Sequence, residues 1–220
     1  MIAVMAFTGT LALAAGCPVA QSVPYGRSLV TWIPSEAAPG RGIVVRISYP
    51  DSPRYPEGTA AVVIVPGADS SGGVGLRGPE RDPYLAQGLV RVSFAFPGGG
   101  KPPYQSSGTY DHRGLNSLRA LRDVVRFLEG EIPEENGCFI SDILPYPLLQ
   151  MGLAGYSNGG STAVVALGLF GDEMGVDWYV GWENPAGVQF TTVDLGSRNQ
   201  LLPFYTPCSC RLTRTGPNVI

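Results

Sequence analysis

Histidine is almost absent from this sequence: the 220 residues include only one, His112. Cysteine is also scarce, with four residues and no pairs at the spacing of zinc ligands. Because these two residues are the usual ligands of zinc, we predict no metal site, and no cofactor is expected. The sequence also lacks a basic patch and any segment that combines aromatic residues with arginine. Binding of nucleic acid is therefore not expected.

Charged residues are few, at 15% of the chain, and the formal net charge is −3. Hydrophobic residues make up 44%, which is typical of a globular, weakly acidic protein. The length suits one domain or slightly more. Thirty glycines and twenty prolines predict many tight turns, as in the short connections of an α/β fold.

The N-terminal segment has the pattern of an export signal. Residues 1–16 contain no charged side chain, and the apolar run from Ile2 to Ala15 is short for a membrane span. The sequence Leu-Ala-Ala-Gly-Cys at 13–17 resembles a lipobox, in which Cys17 carries a lipid that attaches the protein to a membrane. Ala14 stands where leucine is usual, and no Lys or Arg precedes the apolar run. Cleavage without a lipid and a buried N-terminal strand are the alternatives. We predict a secreted or extracytoplasmic protein, where a disulfide is permitted but its pairing is left open by the sequence.

Strands and helices alternate along the chain. The helix predicted at 115–128 has leucine and valine at helical spacing, Asp111 before it and Gly130 after it. A shorter helical segment is predicted at 83–87. The alternation indicates an α/β protein with a doubly wound, mostly parallel sheet, whose ligand lies at the carboxyl ends of the strands. Apolar or β-branched segments predict strands at 28–33, 42–49, 60–65, 89–96, 148–154 and 176–182.

The pentapeptide Gly155-Tyr156-Ser157-Asn158-Gly159 lies between a predicted strand and a predicted helix. A serine on so sharp a turn needs neighbours without bulky side chains, and Gly155 and Gly159 supply them. The turn would place the hydroxyl of Ser157 at a helix N-terminus, where the helix dipole favours developing negative charge. This context predicts a nucleophile elbow.

The order and spacing of these segments resemble the α/β-hydrolase family, particularly its extracytoplasmic esterase, dienelactone-hydrolase-like and prolyl-oligopeptidase-like branches. The similarity covers roughly residues 28–185 and rests on the strand–loop segments at 60–73 and 89–100, the helix at 115–128 and the elbow. It implies an α/β-hydrolase sheet with Ser157 as nucleophile toward a small-molecule ester or a peptide. It also implies backbone oxyanion donors at Asn158 and at Ala68 or Gly67.

The sequence departs from this family in its proton-transfer residues. A serine nucleophile needs a base, and the base needs a carboxylate to orient it; in the family both follow the nucleophile. No histidine follows Ser157. His112 precedes it, where a surface or capping position is favoured, and Asp111 is predicted to cap the helix. Glu183 is the candidate acid, and its alternative is a polar loop residue. We therefore predict weak or no hydrolysis.

The sequence is predicted to divide into a signal peptide at 1–17, a linker at 18–27, an α/β-hydrolase-like domain at 28–185 and an irregular tail at 186–220. The family would place further strands after residue 182, so the sheet is predicted to be incomplete and the sequence to be C-terminally truncated. An unpaired edge strand predicts self-association. A non-enzymatic exported domain that binds a ligand at the same edge is the alternative function. A coincidental Gly-x-Ser-x-Gly in another doubly wound fold is the third possibility.

Overall fold

The computed structural model describes residues 16–67, 70–75 and 82–184. The helices in these ranges are α1 (Pro83–Ala86), α2 (Leu115–Leu128), α3 (Ile140–Ile143) and α4 (Asn158–Phe170), with a 3-10 turn at Gly171–Glu173. The strands are β1 (Gln21–Val23), β2 (Gly26–Ile33), β3 (Ile43–Pro50), β4 (Thr59–Val65), β5 (Val90–Phe94), β6 (Gly100–Lys101), β7 (Tyr104–Gln105), β8 (Leu148–Tyr156) and β9 (Trp178–Trp182).

Seven of these strands form one sheet, in the order β1-β2-β3-β5-β4-β8-β9. The pairs from β1 to β5 are antiparallel, whereas β5, β4, β8 and β9 run parallel to one another. The α/β class is confirmed, and the sheet is mixed, since its N-terminal strands are joined antiparallel. The carboxyl ends of the four parallel strands lie at one edge of the sheet.

The main core lies between the sheet and the pair α2–α4. Alternate residues of β3 show the two faces: Val45 belongs to this core, whereas Val44 packs with Trp32, Val74 and Ala95 on the other side. β4 is buried along most of its length, as its unbroken run of Ala, Val and Ile predicts.

Helix α2 has the bounds that the sequence predicts. Its residues Leu118, Leu121 and Val124 are buried in the core, but Leu115 in the first turn is 48% exposed. Arg122, on the polar face, forms ion pairs with Asp123 and Glu173. No helix in the described part of the chain is long and apolar enough to cross a membrane.

The segment expected to be a linker is part of the sheet. Residues 21–23 form β1, which pairs antiparallel with the start of β2 across a turn in which Tyr25 has a φ of 69°. Cys17 is bonded to Cys138 by a disulfide with an S–S distance of 2.03 Å. A sulfur in a disulfide cannot also carry a thioether-linked lipid, so the structure contradicts lipidation of Cys17. Of the predicted signal peptide at 1–17, residues 1–15 lie outside the described residues, as does the whole predicted tail at 186–220.

Candidate active site

Ser157 lies between β8 and α4, with a φ of 53° and a ψ of −128°. This is a sparsely populated conformation for any residue other than glycine, and such strain costs about 1–3 kcal/mol. The predicted sharp turn between a parallel strand and a helix is therefore confirmed. Its N–H donates to the carbonyl oxygen of Trp182 at 2.8 Å, and its own carbonyl accepts from Gly160 at 3.0 Å.

The elbow requires glycine at two positions because β8 and α4 approach each other closely. A Cβ on Gly155 would collide with the Cα of Gly160, and it would lie 2.7 Å from the carbonyl carbon of Gly159. A Cβ on Gly159 would collide with the carbonyl oxygen of Val65. Both predicted elbow glycines are thus required, because a larger residue would clash with backbone atoms, and backbone atoms cannot avoid a clash by a change of rotamer.

The loop after β4 lies directly against the elbow. A Cβ on Gly67 would collide with the carbonyl oxygen of Tyr156, the residue before Ser157. Asn158 is the first residue of α4, so its N–H has no acceptor within the helix. The structure therefore brings two of the predicted oxyanion positions, Gly67 and Asn158, close to Ser157. The third, Ala68, lies outside the described residues.

Glu183 follows β9 directly and has a φ of 54°. Its carboxylate accepts a hydrogen bond from the hydroxyl of Tyr156 at 2.8 Å. This bond raises the pKa of Tyr156 above its ordinary value, since it stabilises the protonated phenol. Glu183 is thus at the predicted edge and beside the elbow, but it is exposed and its partner is a tyrosine. Its role as the triad acid stays a prediction.

Asp111 caps α2, as predicted. Its carboxylate accepts from the backbone N–H of Asn116 at 2.7 Å and from both the N–H and the hydroxyl of Ser117. His112 is exposed in the turn before the helix, with its ring 4.8 Å from that of Tyr110. Among the contacts of the described residues, none joins His112 to Ser157.

Two residues that support the elbow were missed by the sequence analysis. The hydroxyl of Tyr179 donates to the carbonyl oxygen of Gly160 at 3.1 Å and accepts from the side-chain amide of Asn184. Burial raises the pKa of Tyr179, so its hydroxyl stays protonated as a donor. The only signal of Asn184 in the sequence was its place directly after Glu183, and no periodicity marks Tyr179.

These elements define the class of the fold: a mixed α/β sheet with a strand–serine–helix elbow at the carboxyl edge of its parallel strands, which is the α/β-hydrolase arrangement. No protein-family model and no curated sequence matches the chain. Solved structures similar to it include an esterase from Pyrococcus furiosus, with 19% identity and a TM-score of 0.49 over 79% of this chain and 57% of that one.

Two further similar structures are a bacterial heroin esterase and oligopeptidase B from Trypanosoma brucei. The first is 12% identical, with a TM-score of 0.48 over 76% of this chain and 48% of that one. The second is 16% identical, with a TM-score of 0.47 over 77% of this chain and 22% of that one. The chain spans less than two thirds of the length of each of these three proteins.

Proposed function

We propose that this chain is a serine-hydrolase domain in which Ser157 attacks an ester or peptide carbonyl and becomes acylated. The observation that carries the proposal is the strained conformation of Ser157 at the N-terminus of α4. Ser157 lies at the positive end of a 13-residue helix, which would stabilise the negative charge that develops on the carbonyl oxygen. The N–H groups of Asn158 and Gly67 are the proposed donors to that oxygen.

The proposed activity of these 220 residues by themselves is weak, because they contain no histidine after Ser157 to accept its proton. Loss of triad members leaves only the oxyanion and binding contributions, roughly 10³–10⁴-fold over water. Slow acylation of Ser157 is therefore the chemical step to measure, and turnover is expected to be low.

The test is incubation with p-nitrophenyl acetate, followed by peptide mass spectrometry to locate the acetyl group. We expect slow acetylation at Ser157, its loss in Ser157→Ala, and no change in Ser141→Ala, which alters an exposed serine of α3. His112→Ala is expected to leave the rate unchanged. Acetylation that avoids Ser157 would contradict the proposal and favour a non-enzymatic binding domain. Robust turnover lost in both Ser157→Ala and His112→Ala would show that His112 is the base.

We also propose that the protein is exported. The uncharged apolar start of the sequence supports this location, and so does the disulfide between Cys17 and Cys138, because disulfides persist mainly in oxidising compartments. Mass spectrometry of the mature N-terminus from a bacterial host is the test. A terminus shortly before Cys17, with the disulfide intact, is expected. Met1 retained in cytoplasmic protein would contradict export.

Self-association through β9 is a further proposal. β9 is the last strand of the sheet in the described part of the chain, and Val180 and Trp182 on it are 56% and 69% exposed. An apolar edge strand favours pairing with another chain. Light scattering after size exclusion should show assemblies that Val180→Lys reduces. A wild-type protein that is monomeric at all concentrations would contradict this.

A further inference from the structure

The turn before α2 contains a fully buried arginine. Arg113 is 1% exposed, with a φ of 64°, and its Nε atom has no hydrogen-bond partner. No carboxylate of the described residues forms an ion pair with its guanidinium group. A buried cation is costly, so among the described residues this guanidinium group depends on polar contacts in place of an ion pair.

The guanidinium group of Arg113 faces the loop that follows β4. Its Nη2 atom donates to the carbonyl oxygen of Ser70 at 3.4 Å, at the long end of the hydrogen-bond range. The hydroxyl of Tyr110, from the same turn, donates to the same oxygen, also at 3.4 Å. Two side chains from the turn before α2 thus converge on one carbonyl of this loop.

Ser70 connects Arg113 to the elbow through a short series of contacts. The N–H of Ser70 donates to the carbonyl oxygen of Gly67 at 3.4 Å, and Gly67 lies against the carbonyl of Tyr156 beside Ser157. A displacement of Ser70 would therefore reach Gly67, whose N–H is one of the proposed oxyanion donors.

The far side of the loop is held by other groups. Gly73 donates to the carbonyl oxygen of Phe94 at 3.2 Å, and Phe96 donates to that of Ser71 at 2.8 Å. Arg46, also buried, donates to the carbonyl oxygen of Val74. Removal of the Arg113 guanidinium should thus release only the side of the loop nearest the elbow.

We propose that Arg113 is a positioning residue that holds the loop after β4 through Ser70, so that the N–H of Gly67 faces the oxygen that becomes negative during attack by Ser157. This inference rests on the proposed function of Ser157, and adds to it a residue from a different segment of the chain. Arg113 acts through Ser70 and Gly67 and does not touch the substrate.

The test is phosphonylation of Ser157 by a fluorophosphonate. The Oγ atom of Ser157 forms the O–P bond, fluoride leaves, and the hydroxyl proton passes to water. The phosphonyl oxygen occupies the oxyanion position, so the first-order rate constant of labelling depends on the hydrogen-bond donors at that position. The reagent concentration that gives half of the maximal labelling rate depends on binding of the reagent. Arg113→Met keeps the length of the side chain and removes its charge. Arg126→Met is the matched control, at the opposite end of α2, where Arg126 pairs with Glu131.

We expect Arg113→Met to lower the first-order rate constant of labelling about 10- to 100-fold. Complete loss of an oxyanion donor costs about 10²–10³-fold, and displacement of a donor should not cost more than its loss. The half-saturating concentration should not change, and Arg113→Lys should restore part of the rate. Arg126→Met should behave as the wild type. A wild-type rate in folded Arg113→Met, or an equal loss in Arg126→Met, would overturn the inference. If Arg113→Met does not fold, Tyr110→Phe takes its place: a severalfold lower rate supports the inference, and a wild-type rate overturns it.

Hydrogen exchange tests the loop independently of chemistry at Ser157. Arg113→Met, or Tyr110→Phe in its place, should speed exchange in peptides that span residues 66–75 and leave exchange in β3 unchanged. Unchanged exchange at 66–75 would overturn the inference whatever the reactivity of Ser157. Equal labelling of wild type and Ser157→Ala would refute the proposed function alone. The two failures are therefore distinguishable.

Discussion

Replacement of Gly155 by alanine tests the close approach of β8 and α4 that forms the elbow. The added Cβ would lie 2.7 Å from the carbonyl carbon of Gly159 and closer still to the Cα of Gly160. Ordinary contacts between carbon atoms are about 3.5–4.0 Å. Both neighbours are backbone atoms, so α4 must move away from the strand. Overpacking of this kind typically costs about 1–3 kcal/mol, and a backbone shift places Gly155→Ala at the upper end, at about 3 kcal/mol.

Gly168→Ala is the matched control, because it makes the same substitution in α4 where nothing lies within 4 Å of the new Cβ. Alanine is favoured over glycine in a helix by about 0.5–1 kcal/mol, so this variant should be more stable than the wild type. For a chain of this size 1 kcal/mol corresponds to about 2–4 °C in Tm. Gly155→Ala should thus lower the Tm by about 6–12 °C, and Gly168→Ala should raise it by a few degrees.

Thermal unfolding followed by circular dichroism distinguishes these outcomes, and acetylation at Ser157 should fall in Gly155→Ala alone. A Gly155→Ala variant as stable and reactive as the wild type would show that β8 and α4 are not in contact. The assignment of the elbow would then be wrong. Destabilisation by Gly168→Ala would show that the wild-type helix has a different environment from the one described.

Three further predictions follow from contacts outside the elbow. The disulfide between Cys17 and Cys138 spans 121 residues, so its removal in a double alanine variant should lower the free energy of unfolding by about 2–5 kcal/mol in urea titration; equal stability with and without reductant would contradict it. Asp111→Ala should lower the free energy of unfolding by about 1–2 kcal/mol, since the backbone N–H groups at the start of α2 lose their acceptor. An unchanged Tm would contradict this. Glu183→Ala should lower the pKa of Tyr156 toward its ordinary value, as checked by NMR titration of ring-labelled tyrosine. The hydrogen bond to Glu183 contributes stability at pH values below the ordinary pKa of tyrosine, and this contribution is lost as the pH rises through the raised pKa of Tyr156. The Glu183→Ala variant should therefore lack this loss of stability at high pH. An unchanged pKa of Tyr156 in the variant would contradict the prediction.

The sequence predicted the central elements because their signals are local. A run of β-branched residues identifies β4, leucine at helical spacing identifies α2, and glycine spacing identifies the turn at Ser157. These patterns arise from burial and steric constraint within a few residues of the chain. The direction of each strand has no such local signal, because the period of a strand is the same whichever way its neighbour runs.

The parts that the sequence did not predict depend on contacts between distant residues. β1 forms only because residues 21–23 pair with β2, and the turn at Tyr25 lacks the Asn-Gly or Asp-Gly signal of a tight hairpin. The lipobox resemblance of Cys17 was misleading, because its partner Cys138 lies in a distant loop that no local pattern connects to it. Arg113 stands beside His112 in sequence, but its burial is a property of the folded loop.

The elbow is held as much by β9 as by the strand that precedes it. Both Ser157 and Glu183 have a positive φ, and strain of this kind persists only where the surroundings determine the conformation. The N–H of Ser157 is fixed by the carbonyl of Trp182, and α4 is fixed by the hydroxyl of Tyr179, both from β9. β9 is itself the exposed end of the described sheet, with a single strand beside it. A perturbation that loosens β9 should therefore relax the strained turn and remove the reactivity of Ser157 before the main core unfolds.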